Sequence, residues 1–457
     1  MSKKINVYIV IWMLVNVFSF ISLFYLLSNT ENVYSVYRNS FTANLFFIIL
    51  NFLAFKVYQN PNKYLLIPIA YTFIRMVVTP FVMTLTNNVT YFSSISKHQF
   101  DYGIILACFE ATIIFVSVYW INSKYKINTF TPLHISKKNN TVFYISLCIL
   151  VLIIGAIMLV YPIFMNRFKS IFDLTRDGIF IENNDFQGIQ RIMFSLVFYF
   201  IPWVKFILTV SLLKLIKIRS RNGFQGLFLS ILLILMNGFF IEGANGLFVI
   251  YNIVYVVIIV RLYKEQSKHL FIPSILILSY FLYSIFFQKT GSFDTNSKLT
   301  DLSLIFQSYI PGLPNYAGLF NFDVSNKFNF LLGDIVSSIP FNVFLFGNNF
   351  TRLVIPYTQQ NNALSQIMPF IGHLFEYISF LSFAVIPIIL YSGLKIIQKA
   401  YLEDDVFIFS AKLLIGLYVL FTPGFFNIAI LLERTLSILL PILLFTKLSK
   451  IKTKGVI

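Results

Sequence analysis

The chain has 457 residues, of which 58% are hydrophobic, 18% aromatic and only 12% charged, with 54 Phe among them. Soluble domains carry about 25% charged residues, so this composition excludes a soluble globule and leaves an integral membrane protein. The formal charge of +17 comes with no basic-aromatic patch and no nucleic-acid motif, which removes nucleic acid from the expected partners.

A helix that crosses the hydrocarbon core needs about 20 apolar residues. Twelve such runs follow one another, at about 5–28, 41–58, 64–86, 103–121, 141–165, 193–216, 223–241, 246–262, 269–288, 370–394, 405–421 and 424–446. The pattern predicts an all-α polytopic membrane protein with about 12 transmembrane helices in one domain over 1–457. The first run, Ile5 to Leu27, is long enough to span and has no small-residue cleavage site, so it reads as a span and not as a signal peptide. Cys108 and Cys148 both fall inside runs, which argues against a disulfide framework or a zinc site.

Two connecting segments are long. One, 166–192, carries Arg176 and Asp177 in a Thr175-Arg-Asp-Gly178 turn. The other, 289–368, has apolar stretches of its own and few charges, which predicts a partly helical cap or binding element, with a structural plug or partner surface as the alternative. It leads into Gly372-His-Leu-Phe-Glu-Tyr377, where His373 and Glu376, three apart, share one face of a helix. A carboxylate or imidazole at that boundary can take a proton from a sugar hydroxyl. Interfacial anchoring with Tyr377 is the alternative.

Basic residues fix the expected orientation. With the N-terminus inside, the inner segments hold 21 of the 35 Lys and Arg, and the short outer loops almost none. The positive-inside rule then places both termini in the cytoplasm and both long segments on the outer face. Arg75, Lys205, Lys412 and Arg434 lie inside runs, with Glu110 and Glu433 as the acids. Each must face a cavity or a partner. Two acids neutralise at most two of these cations, so a cationic pocket for a lipid phosphate or pyrophosphate is expected. Ion pairing is the alternative. Arg176 and Arg352 are the outer-loop counterparts, because a guanidinium fork matches phosphate oxygens; a solvated Arg176–Asp177 pair is the alternative for the first. There is no phosphate-cradling glycine loop for ATP-driven transport, no exposed Asp-x-Asp pair and no metal-ligand spacing among the four His.

In outline the chain resembles the Wzy-like oligosaccharide repeat-unit polymerases of bacterial O-antigen and capsule assembly, which are related in architecture to O-antigen ligases. The resemblance lies in the dozen spans, the internal termini, and the large outer loop before the last three spans. Gly243-Ala-Asn-Gly246 resembles the family's glycine-flanked arginine, with Asn245 in the arginine's place. Gly372-His-Leu-Phe-Glu-Tyr377 resembles its glycine, glutamate and tyrosine at the end of the large loop. The family's following Asn-Phe-Gly is Ser379-Phe-Leu-Ser382 here. The resemblance implies a GT-C-like membrane glycosyltransferase in the bacterial cytoplasmic (inner) membrane, with no cofactor and no metal. Its substrates would be polyprenyl-pyrophosphate-linked oligosaccharides, and its partners chain-length regulator and flippase proteins. Arg75, Arg176, Arg352 and Arg434 would hold the leaving pyrophosphate. Glu376 or Asp177, with His373 nearby, would activate the acceptor hydroxyl. A flippase for the same lipid-linked glycan and a glycan ligase are the competing expectations.

Overall fold

A computed structural model describes residues 6–29, 36–86, 92, 95–125, 133, 141–167, 186–237, 245–266, 298–310, 312–339, 351–361 and 368–448. Among the described residues the chain is helical, with no strand. Eight helices are long and apolar enough to cross a membrane. They are α1 (Val7–Ser28), α3 (Lys63–Leu85), α4 (Lys97–Lys124), α5 (Thr141–Val160), α6 (Gly188–Arg219), and the spans Phe370–Tyr401, Val406–Phe425 and Ile428–Lys447. Three shorter apolar helices, α2 (Ser40–Leu53), α7 (Gly223–Asn237) and α8 (Asn245–Leu262), lie on further expected runs. The run at 269–288 lies outside the described residues.

Between the eighth and tenth expected spans come four short helices: α9 (Lys298–Tyr309), α10 (Leu313–Ala317), α11 (Lys327–Ser338) and α12 (Val354–Gln360). The expected tenth span is broken. Helix α13 (Phe370–Ile378) ends at Ser379, whose φ of 49° is unusual for a residue with a side chain, and α14 (Ser382–Tyr401) then resumes. Such a conformation persists only where its surroundings hold it, and it is commonest at functional sites.

Helix α15 (Val406–Phe425) is the axis of the bundle. Asp405 caps it by accepting from the Phe407 and Ile408 N–H groups at 2.9 and 3.0 Å, as an N-cap acid should. Helices α3, α6, α8, α13 and α14 all pack on it. At the crossing of α14 and α15, Gly393 and Gly416 face each other, and a Cβ at Gly416 would meet the Gly393 carbonyl oxygen at 2.9 Å. Small residues permit this approach where lipid supplies no hydrophobic drive. The last span is α16 (Ile428–Arg434), a π-helical turn Thr435–Leu439, and α17 (Leu440–Leu448).

The segment expected to cap the bundle is, in its described parts, wedged into it. All five residues of α10 are buried, and Tyr316 reaches Glu110, halfway along the 28-residue α4. Irregular backbone at such a depth is tolerated where protein surrounds it. Gly103 makes this possible, because a Cβ there would lie 2.6 Å from the Ala317 nitrogen and 2.9 Å from its Cα. Gly103→Ala should therefore lower stability by about 1–3 kcal/mol, the range for overpacking. Gly155→Ala, with nothing within 4 Å of the new Cβ, serves as control. Thermal unfolding in detergent checks the pair, and equal melting temperatures would contradict the wedge.

Candidate functional site

Helix α11 gathers most of the chemistry. Asn326 caps it by accepting from the Asn329 N–H at 3.3 Å. Along it, Lys327, Asp334, Ser337 and Ser338 each bind a different part of the molecule. The Lys327 ammonium lies 3.0 Å from Glu376 on α13. Asp334, fully buried, holds His373 Nε2 and the Tyr377 hydroxyl at 2.5 Å each on its Oδ2, while its Oδ1 accepts from the Leu353 N–H at 3.3 Å. A buried carboxylate needs such a set of donors. Gly333 lets the chain at 351–353 come close enough to contribute, since a Cβ at 333 would lie 2.0 Å from the Thr351 carbonyl oxygen. His373 Nδ1 is buried and has no hydrogen-bond partner among the described residues.

The Ser337 end of α11 carries the arginines. Arg352 Nε donates to Ser337 Oγ at 2.7 Å, and its Nη2 donates to the Ser337 carbonyl at 2.9 Å and to Glu433 Oε2 at 3.0 Å. Arg434 Nη2 stands 3.9 Å from the other Glu433 oxygen. Ser338 donates to the Ala429 carbonyl at 3.1 Å, fixing α11 against α16. Two guanidinium groups thus flank one carboxylate, for a net charge of +1. All three are partly exposed, at 28% for each arginine and 32% for Glu433. Arg434 makes no hydrogen bond to a described residue, so its planar fork is available to an anion.

Arg75 stands apart from this group. It sits in a π-helical turn of α3, Ile74–Val78, with Nη1 3.1 Å from Glu110 Oε1 and Nη2 donating to the Pro423 carbonyl at 3.1 Å. Its guanidinium also lies over the Tyr316 ring, 5.2 Å from the centroid. The Tyr316 hydroxyl donates to Glu110. Arg75 and Glu110 are 2% and 0% exposed, so this pair is internal and neutralised.

The expectation that two cations within spans lack acidic partners is corrected. Lys412 pairs with Glu403, which lies just before α15 and outside the apolar runs. Glu433 serves Arg434 and Arg352 together. Lys205 lies 5.9 Å from the Phe248 ring centroid. Of the expected site residues, α11 brings together His373, Glu376, Arg352 and Arg434, and leaves out Arg75. Arg176 and Asp177 lie outside the described residues, as does the Gly243 turn. Asp334 was given no role from sequence, although an acid in the apolar stretch Leu331-Leu-Gly-Asp-Ile-Val336 signals a buried carboxylate. Among the described residues no group of His, Cys, Asp and Glu is placed to hold a metal ion.

The two groups predict different variants. Arg75→Gln leaves Glu110 buried and uncompensated, and should destabilise the protein by about 3–5 kcal/mol. Arg434→Ala should change stability by less than about 1 kcal/mol, because its ion pair is long and partly exposed. Unfolding of both purified variants in detergent measures the difference, and an unaltered Arg75→Gln would return Arg75 to the substrate-binding set. Compared with known proteins, the chain matches no family model, no curated protein and no solved structure.

Proposed function

We propose that the protein is a membrane glycosyltransferase that joins polyprenyl-pyrophosphate-linked oligosaccharide repeat units into O-antigen, capsular or exopolysaccharide on the outer face of the cytoplasmic membrane. The observation that carries this reading is the set of groups attached to α11. Glu376, a carboxylate with a half-exposed counterion, lies on α13 with His373, whose bond to Asp334 ties that helix to α11, and a partly exposed arginine pair stands at the other end of α11. A base and an anion cradle on one scaffold are what displacement of a pyrophosphate leaving group requires.

In this reaction Glu376, released from Lys327, takes the proton of the acceptor hydroxyl. The acceptor oxygen forms its bond to the anomeric carbon as the bond from that carbon to the pyrophosphate oxygen breaks, and the electron pair stays with the pyrophosphate. Arg352 and Arg434 meet the charge that develops there, and such electrostatic contacts are typically worth about 10²–10³ in rate. Lys327 is half-exposed, at 51%, so water can solvate its ammonium when the pair opens. His373, fully buried, acts through Asp334 to position α13 and so aims Glu376.

The polymerase and flippase readings fail in different ways. In a deletion strain complemented with Glu376→Gln or Arg434→Ala, long glycan should fall by about 10²-fold, the scale of one lost charge-stabilising contact. Single lipid-linked units should accumulate where a glycan-degrading enzyme added to intact cells can reach them. Single units confined to the cytoplasmic face would overturn this proposal in favour of translocation.

A further inference from the structure

Helices α5 and α6 enclose between them a groove of about 510 Å³, away from the residues gathered on α11. Its walls are apolar, with Leu147 and Val151 on α5 and Leu208 and Leu212 on α6. It opens on the flank of the bundle, where Leu152 is 70% exposed and Leu215 43%. One end differs. There Lys214 and Tyr144 line the groove together, and neither side chain makes a hydrogen bond or ion pair to a described residue. Lys214 is only 6% exposed. Its ammonium stands 5.4 Å from the Phe407 ring centroid, and Phe143 packs on that same ring at 4.6 Å. Asp405 attracts Lys214 from beyond contact distance, but its Oδ1 is engaged in capping α15.

A desolvated ammonium at the end of an apolar trough has an obvious complement. We propose that the groove is a binding site for an anionic glycerophospholipid, one acyl chain lying along α5 and α6 and the phosphate meeting Lys214 and Tyr144. From Leu208 to the headgroup contact at Lys214 the lining covers about 9 Å of helix, which fits within the roughly 15 Å of one leaflet of a ~30 Å hydrocarbon core. Lys217 and Arg219 follow in the last turn of α6, adding to the attraction for an anionic headgroup. A trough open to the bilayer and lined by apolar side chains is filled by chains and not by water. The arginine pair is a poor alternative destination for the same headgroup. Phe445, which packs against Phe143, lies eleven residues beyond Arg434, or about 16 Å along the last span.

The site does not depend on the proposed reaction, and native mass spectrometry tests it. The purified protein is titrated separately with phosphatidylglycerol, phosphatidylcholine and polyprenyl phosphate. Phosphatidylglycerol should be retained over phosphatidylcholine. Lys214→Gln should lower that retention about fivefold, the scale of one lysine's attraction to an anionic lipid, while Lys214→Arg keeps it. Leu212→Trp, which fills the trough, should lower retention with the lysine intact. Equal retention of the two phospholipids, or a preference unmoved by Lys214→Gln and Leu212→Trp, overturns the proposal. Stronger retention of polyprenyl phosphate, or a lipid-free dimer in place of the lipid adduct, overturns it in favour of a substrate lipid or a second copy of the chain.

Discussion

The Asp334 carboxylate is the contact on which the rest of the arrangement depends. It has no exposure and accepts from His373, Tyr377 and the Leu353 N–H. Removing the partners of such a group leaves an uncompensated charge, at about 3–5 kcal/mol. Asp334 therefore holds three pieces of chain in one relation: α11, the α13 segment before the strained Ser379, and the chain leading into α12. The neighbouring Ser337 and Ser338 extend the tie to Arg352 and to α16. His373, Glu376 and Arg352 are each attached to this helix, and Arg434 joins them through Glu433.

A second tie holds the long segment between the spans at its α10 end. Tyr316 donates to Glu110, which neutralises Arg75, and Tyr357 donates to the Asn315 carbonyl at 2.7 Å. Asn361 then donates to the Gly318 carbonyl at 3.0 Å. These contacts make the segment part of the core and not a lid resting on it. The division of labour follows from burial. The Arg75 cluster is neutral and sealed, which suits a structural role, while Arg352, Glu433 and Arg434 keep partial exposure and a net positive charge, which suits an anion.

Eight of the twelve expected runs proved legible as helices of membrane length, because apolar runs that long leave few alternatives. Their interruptions were less so. A serine with positive φ at 379 breaks the tenth run, and nothing in Tyr377-Ile-Ser-Phe380 announces it, since glycine is the usual residue there. The pairing of His373 with Asp334 spans 39 positions, and that of Tyr316 with Glu110 spans 206. Contacts of that range follow from packing and not from spacing. Counting acids within spans also misjudged Lys412, because a lysine near a helix start can reach past the apolar boundary to an acid such as Glu403. The shared face of His373 and Glu376 was readable from their spacing of three, but their common partner helix was not.

The most direct test is to weaken the Asp334 contact while keeping its shape. Asp334→Asn presents an amide nitrogen and removes the charge, so the three donors are no longer all satisfied. Hydrogen exchange measured by mass spectrometry should then show residues 327–338 and 370–378 losing protection together, as one locally opening unit, while α4 and α15 keep theirs. Unchanged protection in both segments, or loss in one alone, would contradict the claim that this carboxylate joins them.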